Sequence, residues 1–518
     1  MALARVACRG GLALAAPAVT VEVHLGAGLP FFSIVGMPAI AVKESRERVR
    51  AALAHAGFEL PAGRITVNLA PAELPKHGGR FDLAIAVGIL LASAQLRAAH
   101  LERYELFGEL GLDASLRRVS GLLPAARVAT EQGRTLIVPR ANVDELAWIP
   151  GARVHSAASL RAVCAHLDGR APLPLLEPTR LGPARDDDSA ANAQPELADV
   201  IGQTLAKEAL LVAAAGGHSL LLIGPPGCGK SMLAQRLPAL LPELSATEAL
   251  DVATIASIAE QQPTPATASG PKFAASMPPR PFRAPHHSAS ANAIIGGGAR
   301  AQPGEITLAD RGVLFLDELP EFDRRVLEAL REPLESGSVS LARVGLRVDY
   351  PARFQLVAAM NPCPCGYQGD RWRVCRCTPP QIAQYRGRIS GPLLDRIDLR
   401  VAMANERIEQ AQNEPSASAT TRLWRERVCA ARARQRRRCN ALNAHMPVNL
   451  LLQFVALTSC AERLLDRLRD QMASSLRSQH PLLRVARTIA DLADSERVDA
   501  QHLAQAQQLR RGLELPED

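Results

Sequence analysis

The feature that most constrains this chain is the segment Gly224-Pro225-Pro226-Gly227-Cys228-Gly229-Lys230-Ser231, set between an apolar run and a helical stretch. Ser219 to Ile223 reads as a buried strand, and Met232 to Leu240 reads as a helix. G-x-x-x-x-G-K-[ST] in a strand–loop–helix context is a phosphate-binding loop. Its spacing has a chemical cause. Gly227 and Gly229 let backbone N–H groups close around phosphate oxygens at a helix N-terminus. Lys230 places a point charge on the β- and γ-phosphates, and Ser231 offers a hydroxyl to Mg²⁺. All eight residues are therefore expected nucleotide contacts, with ATP and Mg²⁺ as the ligands. A chain organised around such a loop is expected to fold as α/β.

The second half of the site should be an acidic residue at the end of an apolar strand. Gly312-Val-Leu-Phe-Leu-Asp317-Glu318 supplies it, ~90 residues after the loop. Asp317 can hold Mg²⁺ through water, and Glu318 can orient or deprotonate an attacking water. A third apolar strand, Phe354 to Met360, ends in Asn361. A polar residue there is either a turn-maker or a side chain pointing into the crevice at the strand's carboxyl end.

Periodicity divides the 518 residues. Residues 1–168 mix strands (Val19–Leu25, Ile65–Leu69, Thr135–Val138) with helices (Ser45–Ala56, Asp82–Ser93, Pro124–Thr130). Residues 169–196, rich in Pro, Ala and Asp, read as a linker. Residues 197–402 alternate as an α/β domain does, 403–420 form a weaker boundary, and 421–518 are helical. The longest apolar stretch, Leu83 to Ala94, is too short to span a bilayer. No membrane association is expected. The ten Cys are too unevenly spread for a disulfide framework, which fits a reducing cytoplasm.

Taken in order, these landmarks resemble the AAA+ ATPases, and most nearly their magnesium-chelatase-like group called ComM or YifB. The resemblance runs through Val42–Val49, Ile65–Pro71, Phe282–Ser290, Gly312–Phe322, Met360–Gly366, Ser390–Asp398 and Arg484–Leu492, and so covers nearly the whole chain. It implies a P-loop AAA+ ATPase with an N-terminal Lon-protease-like α+β domain and a C-terminal helical lid. It implies that Asn361 is the first sensor of the γ-phosphate and that Arg396 is an arginine finger reaching a neighbouring subunit's ATP. Arg487 would be the second sensor on the lid, with Arg484, one turn away, as the alternative. It further implies a homo-hexameric motor on branched or single-stranded DNA, acting in branch migration during recombination and natural transformation. The rival reading is a chelatase-type motor remodelling a protein partner. Proteolysis is not expected. Where Lon-like sequences carry the nucleophilic Ser, Pro75-Lys-His-Gly-Gly-Arg80 places an arginine, and no Lys lies near Gly121–Leu123.

Three further features bear on partners. Cys363, Cys365, Cys375 and Cys377 could bind Zn²⁺, stay as reduced thiols or form a redox disulfide. His286-His287 is a rival ligand pair. The net charge of +8 is carried almost wholly by Arg, and eight Arg crowd into Thr421–Asn440, as a phosphate-contacting or merely solvated helix. Ser338–Asp349 reads as a hairpin around Arg343–Gly345. The resemblance to related ATPases, whose hairpin projects into the central pore, implies that Arg343 and Arg347 touch DNA, packing between subunits being the alternative. Pro281–Gly298 reads as a second inserted loop. Aromatics are only 3%, so stacking cannot be the main grip on a ligand.

Overall fold

The computed structural model describes residues 2–11, 14–176, 196–259, 278–298, 301–343, 346–405, 417–472 and 476–512. The N-terminal part holds two four-stranded sheets. β1 (Ala2–Arg9), β2 (Ala18–Gly26), β3 (Phe31–Val35) and β4 (Arg64–Ala70) lie in the order β1-β2-β4-β3. β5 (Tyr104–Leu106), β6 (Thr135–Pro139), β7 (Arg153–Ala157) and β8 (Leu175–Leu176) lie in the order β8-β7-β6-β5. Helix α1 (Ser45–His55) and the almost wholly apolar α2 (Asp82–Ala92) pack with these sheets. β1 comes from a segment whose Ala, Cys and Arg residues give too little hydropathy contrast to announce a strand. β8 lies within the expected linker, yet it pairs with Val154 and His155 of β7. The rest of that linker, residues 177–195, lies outside the described residues, as do 406–416 of the second expected boundary.

The central domain is a five-stranded, all-parallel sheet: β9 (Leu220–Ile223), β10 (Phe282–Arg283), β11 (Val313–Leu316), β14 (Gln355–Met360) and β15 (Leu399–Ala402), ordered β10-β11-β14-β9-β15. β9, β11 and β14 are buried along their whole length. That is the pattern of a sheet covered on both faces, and it explains their unbroken apolar runs. β12 (Ser338–Arg343) and β13 (Leu346–Pro351) form a separate antiparallel hairpin whose register closes at Arg343 opposite Leu346.

The C-terminal helices α7 (Ala417–Cys439), α8 (Ser459–Met472), α9 (Leu476–Leu492) and α10 (Ala500–Gln508) share one apolar core with α4 (Thr204–Gly216) and the sheet. Two helices tie the halves together. α6 (Ala246–Ala259), which follows the phosphate loop's helix α5 (Lys230–Gln235), sends Ala249, Leu250 and Ala253 into the N-terminal core. Its Asp251 pairs with Arg127 of α3 (Leu123–Glu131) at 3.0 Å. No described helix is long and apolar enough to cross a membrane.

Candidate functional site

In a parallel sheet the carboxyl ends of all strands reach one edge, so the loops leaving them converge. That edge gathers the phosphate loop after β9, Asp317 after β11 and Asn361 after β14. Gly229 caps α5 at φ +92°, a conformation that L side chains rarely adopt. A Cβ built at Gly227 or Gly229 would meet no atom within 4 Å. The loop therefore encloses an open cradle of backbone around the start of a helix.

Lys230 Nζ donates to Gly224 O (2.7 Å), Pro225 O (2.9 Å) and Asn361 Oδ1 (3.1 Å). The lysine and the expected sensor thus meet at the floor of the crevice. Burial lowers the Lys230 pKa, against the raising effect of Cys228, Asp317 and Glu318. An incoming polyphosphate would relieve that strain on the charged form. Ser231 Oγ donates to Asp317 Oδ2 at 2.6 Å. A hydroxyl and a carboxylate facing each other beside a phosphate cradle form the oxygen donor set that Mg²⁺ selects, so the residues fit this ion. Glu318 is half exposed and sits at φ +52°, left-handed for a non-glycine residue. Its Oε2 lies 3.2 Å from His287 Nδ1, and the His286 ring lies 4.1 Å from that of His287. Sequence reasoning offered His287 as part of an inserted loop or, with His286, as a rival ligand pair, and not as a partner of Glu318. Its pairing with Glu318 follows from β10 running beside β11, which no local pattern displays.

Arg396 is elsewhere. The opposite, amino edge of the sheet opens into a cleft of about 890 Å³, with Ser219, Gly312, Gln355 and Asp398 at the strand starts. Arg396 and Arg484 both line it. Arg396 pairs with Glu335, Arg484 Nη2 donates to Met446 O (2.7 Å), and the buried Nε of each arginine has no hydrogen-bond partner. A buried relay holds this edge to α9: His218 bridges Asp398 (2.8 Å) and Thr488 Oγ1 (2.8 Å). Burial would raise the Asp398 pKa, but the His218 hydrogen bond, with the charges of His218, Arg510 and Arg484, outweighs it and leaves the carboxyl below its ordinary value.

Arg487, expected on the lid as the second sensor, faces the interior. It is 1% exposed, holds Asp491 Oδ1 at 2.9 and 3.1 Å, and donates to Glu496 O at 2.7 Å. It lines neither the phosphate loop nor the Arg396 cleft. The arginine-dense helix is also only partly outward. Arg432 is buried against Ala214 O (2.8 Å) with its pKa pulled down to about 9 by desolvation. Arg434 donates to Asp491 O, and Arg438 pairs with Asp491. Arg427 and Arg437 remain exposed. Arg347 on β13 is also exposed, 3.9 Å from Asp349. The side chain of Arg343 lies outside the described residues. In the N-terminal part, Arg80, expected to stand where Lon-like sequences carry a serine, is buried and donates from Nη2 to Ser120 O at 2.8 Å.

The four cysteines come together. All four sulfurs lie within 4.8 Å of one another, a donor set compatible with Zn²⁺.

Comparison with known proteins places these features in one lineage. Residues 196–411 match the family described as magnesium chelatase, subunit ChlI. Residues 21–142 match its subunit ChlI domain, and residues 418–510 match its C-terminal domain. The chain is 48% identical to YifB of Escherichia coli K12 over 510 residues, 98% of this chain and 96% of that one. It is 44% identical to the competence protein ComM of Haemophilus influenzae over 507 residues, 98% and 97% of the two chains. The magnesium-chelatase 38 kDa subunit of Cereibacter sphaeroides is 26% identical over 321 residues, 59% of this chain and 87% of that one.

Proposed function

From the premise that the chain belongs to the magnesium-chelatase-like family of AAA+ type that includes YifB and ComM, we propose that it is an ATP-hydrolysing ring motor that moves branched or single-stranded DNA. The observation that carries this reading is the placing of the site's two halves on opposite edges of one sheet. Lys230, Ser231, Asp317, Glu318 and Asn361 stand at the carboxyl edge, Arg396 and Arg484 at the amino edge. Even a four-residue strand separates such edges by about 13 Å. Arg396 and Arg484 are then offered to the nucleotide of the next copy. A heterologous contact of that kind closes into a ring when the rotation between copies closes, and otherwise runs on as a filament. A homo-hexamer is the proposed assembly, with Arg484 taking the role first given to Arg487.

The chemistry follows from the side chains. Backbone N–H groups of Gly227 to Lys230 hold the phosphates, and Lys230 balances their charge. Mg²⁺ held at Ser231 and Asp317 would neutralise charge building on the phosphate oxygens. Glu318, released from His287, accepts the proton of the attacking water, while Asn361 orients it. A guanidinium from the neighbour stabilises the transferred phosphoryl group. In domain terms, residues 1–168 act as a proteolytically inactive Lon-like assembly domain, 197–402 as the AAA+ core and 421–518 as the lid.

DNA as the substrate is supported by the competence protein ComM among the relatives and by Arg347 exposed on the hairpin. The arginine-dense helix supports it less than its sequence promised, since Arg432, Arg434 and Arg438 are engaged internally. Branch migration of a labelled Holliday junction with ATP and Mg²⁺ tests the proposal. Wild type should resolve the junction into its paired arms and Lys230→Ala should not. No movement, with hydrolysis indifferent to DNA, would turn the reading toward the chelatase-type motor that remodels a protein.

A further inference from the structure

The segment following Asn361 runs Pro362-Cys363-Pro-Cys365 and returns through Cys375-Arg-Cys377 to Thr378, which caps the helix Pro379–Arg386. Cys363 Sγ lies 3.4 Å from Cys365 Sγ and 3.6 Å from Cys375 Sγ, and Cys365 lies 3.6 Å from Cys375. Four sulfurs at the usual Zn–S length of about 2.3 Å stand about 3.8 Å apart at the corners of a tetrahedron. A disulfide would need about 2.05 Å and would join sulfurs only in pairs. The thiols also receive backbone donors: Cys365 N–H points at Cys377 Sγ and Cys377 N–H at Cys375 Sγ, each at 3.4 Å. Such N–H···S contacts orient thiolate ligands and stabilise their charge. Four thiolates around a dication carry two net negative charges. The intervening loop supplies Arg371, Arg373 and Arg376, and Arg386 closes on Pro362 O at 3.1 Å.

The cluster does not stand apart from the nucleotide site. Cys363 is fully buried and only two residues from Asn361, which touches Lys230. Gly366, at φ +85°, lies so close to the phosphate loop that a Cβ there would stand 2.8 Å from Pro226 Cδ. The loop therefore touches the sensor through the chain and the phosphate loop through packing.

We propose that Cys363, Cys365, Cys375 and Cys377 hold one Zn²⁺ as a tetrahedral tetrathiolate, and that this knuckle clamps Asn361 and Pro226 in the geometry that binds nucleotide. Metal uptake displaces the thiol protons and changes no oxidation state. The coupling half rests on the phosphate loop being an ATP site; the metal half does not.

The test uses the full chain purified under reducing conditions. Emission spectrometry should find one zinc per chain, and Co²⁺ exchanged into the site should give the visible absorption of a tetrahedral tetrathiolate. Both should be lost in Cys375→Ser and kept in Cys429→Ser, an exposed thiol outside the cluster. A chain that carries no zinc and takes up no Co²⁺, or takes it up octahedrally, overturns the site. For the coupling, a fluorescent non-hydrolysable ATP analogue is titrated into metal-free and zinc-reloaded protein. Removal of zinc should weaken binding at least about tenfold and reloading should restore it, with the global melting transition retained. Equal affinities, or a loss seen only as the whole chain unfolds, overturn the clamp. Lys230→Ala should keep its zinc. If it also binds the analogue like wild type, the ATP reading fails while the metal result stands.

Discussion

Glu318 is held in a left-handed conformation and tied to His287. Such strain persists only where the surroundings over-determine it, and it gathers at sites that switch. His287 Nδ1, 3.2 Å from Oε2, competes with an attacking water for that carboxylate oxygen. His287→Ala should therefore raise the rate of basal hydrolysis by about fivefold, equivalent to about 1 kcal/mol, with the ATP concentration for half-saturation unchanged. An unaltered rate would show that the imidazole does not restrain Glu318. The two arginines of α9 separate by the same reasoning. Arg484→Ala should bind ATP like wild type and lose about 10²–10³-fold in hydrolysis. Arg487→Ala should lower the melting temperature, at a cost below the roughly 3–5 kcal/mol of a fully orphaned buried charge, because Arg438 and Asn443 still meet Asp491. The two stand three apart on one helix, one turn of the same face, so local sequence cannot tell which meets the cleft. The packing of Asp491 decides it. Lys230, Ser231 and Asp317, by contrast, were legible at once because their chemistry demands fixed spacing beside apolar strands.

The elements show the same division. The buried strands β9, β11 and β14 were readable as apolar runs, and the β12–β13 hairpin as alternation about a turn. The hairpin is the element to test for DNA contact. Arg347→Ala should weaken DNA stimulation of hydrolysis, and the slope of log affinity against log salt should fall by about one. An unchanged slope would assign Arg347 to packing between copies. Helix α7 was legible as a helix but not in its role. Eight arginines read as a phosphate-contacting or merely solvated face, yet Arg432, Arg434 and Arg438 satisfy carbonyls and Asp491 of neighbouring helices. Charge density along one helix does not reveal which carbonyl ends a tertiary neighbour leaves open.

At the scale of the whole molecule, the proposed division of the site between two edges of one sheet would make hydrolysis a property of the interface. Lys230→Ala and Arg396→Ala should each be inactive alone. Mixed one to one, they should recover about a quarter of wild-type hydrolysis, because one random interface in four joins an intact loop to an intact arginine. No recovery would show that each chain completes its own site. Sequence spacing could order these residues along the chain. Only the topology β10-β11-β14-β9-β15 reveals that they face in opposite directions.

Helix α6 belongs to the ATPase half by sequence but presses Ala249, Leu250 and Ala253 into the N-terminal core and pins Asp251 to Arg127. The N-terminal part is thus a handle bolted to the engine block rather than a trailer on a hitch. A tilt of the helices behind the phosphate loop would therefore bear directly on it. Excising residues 1–176 would lay bare a greasy seam along α6.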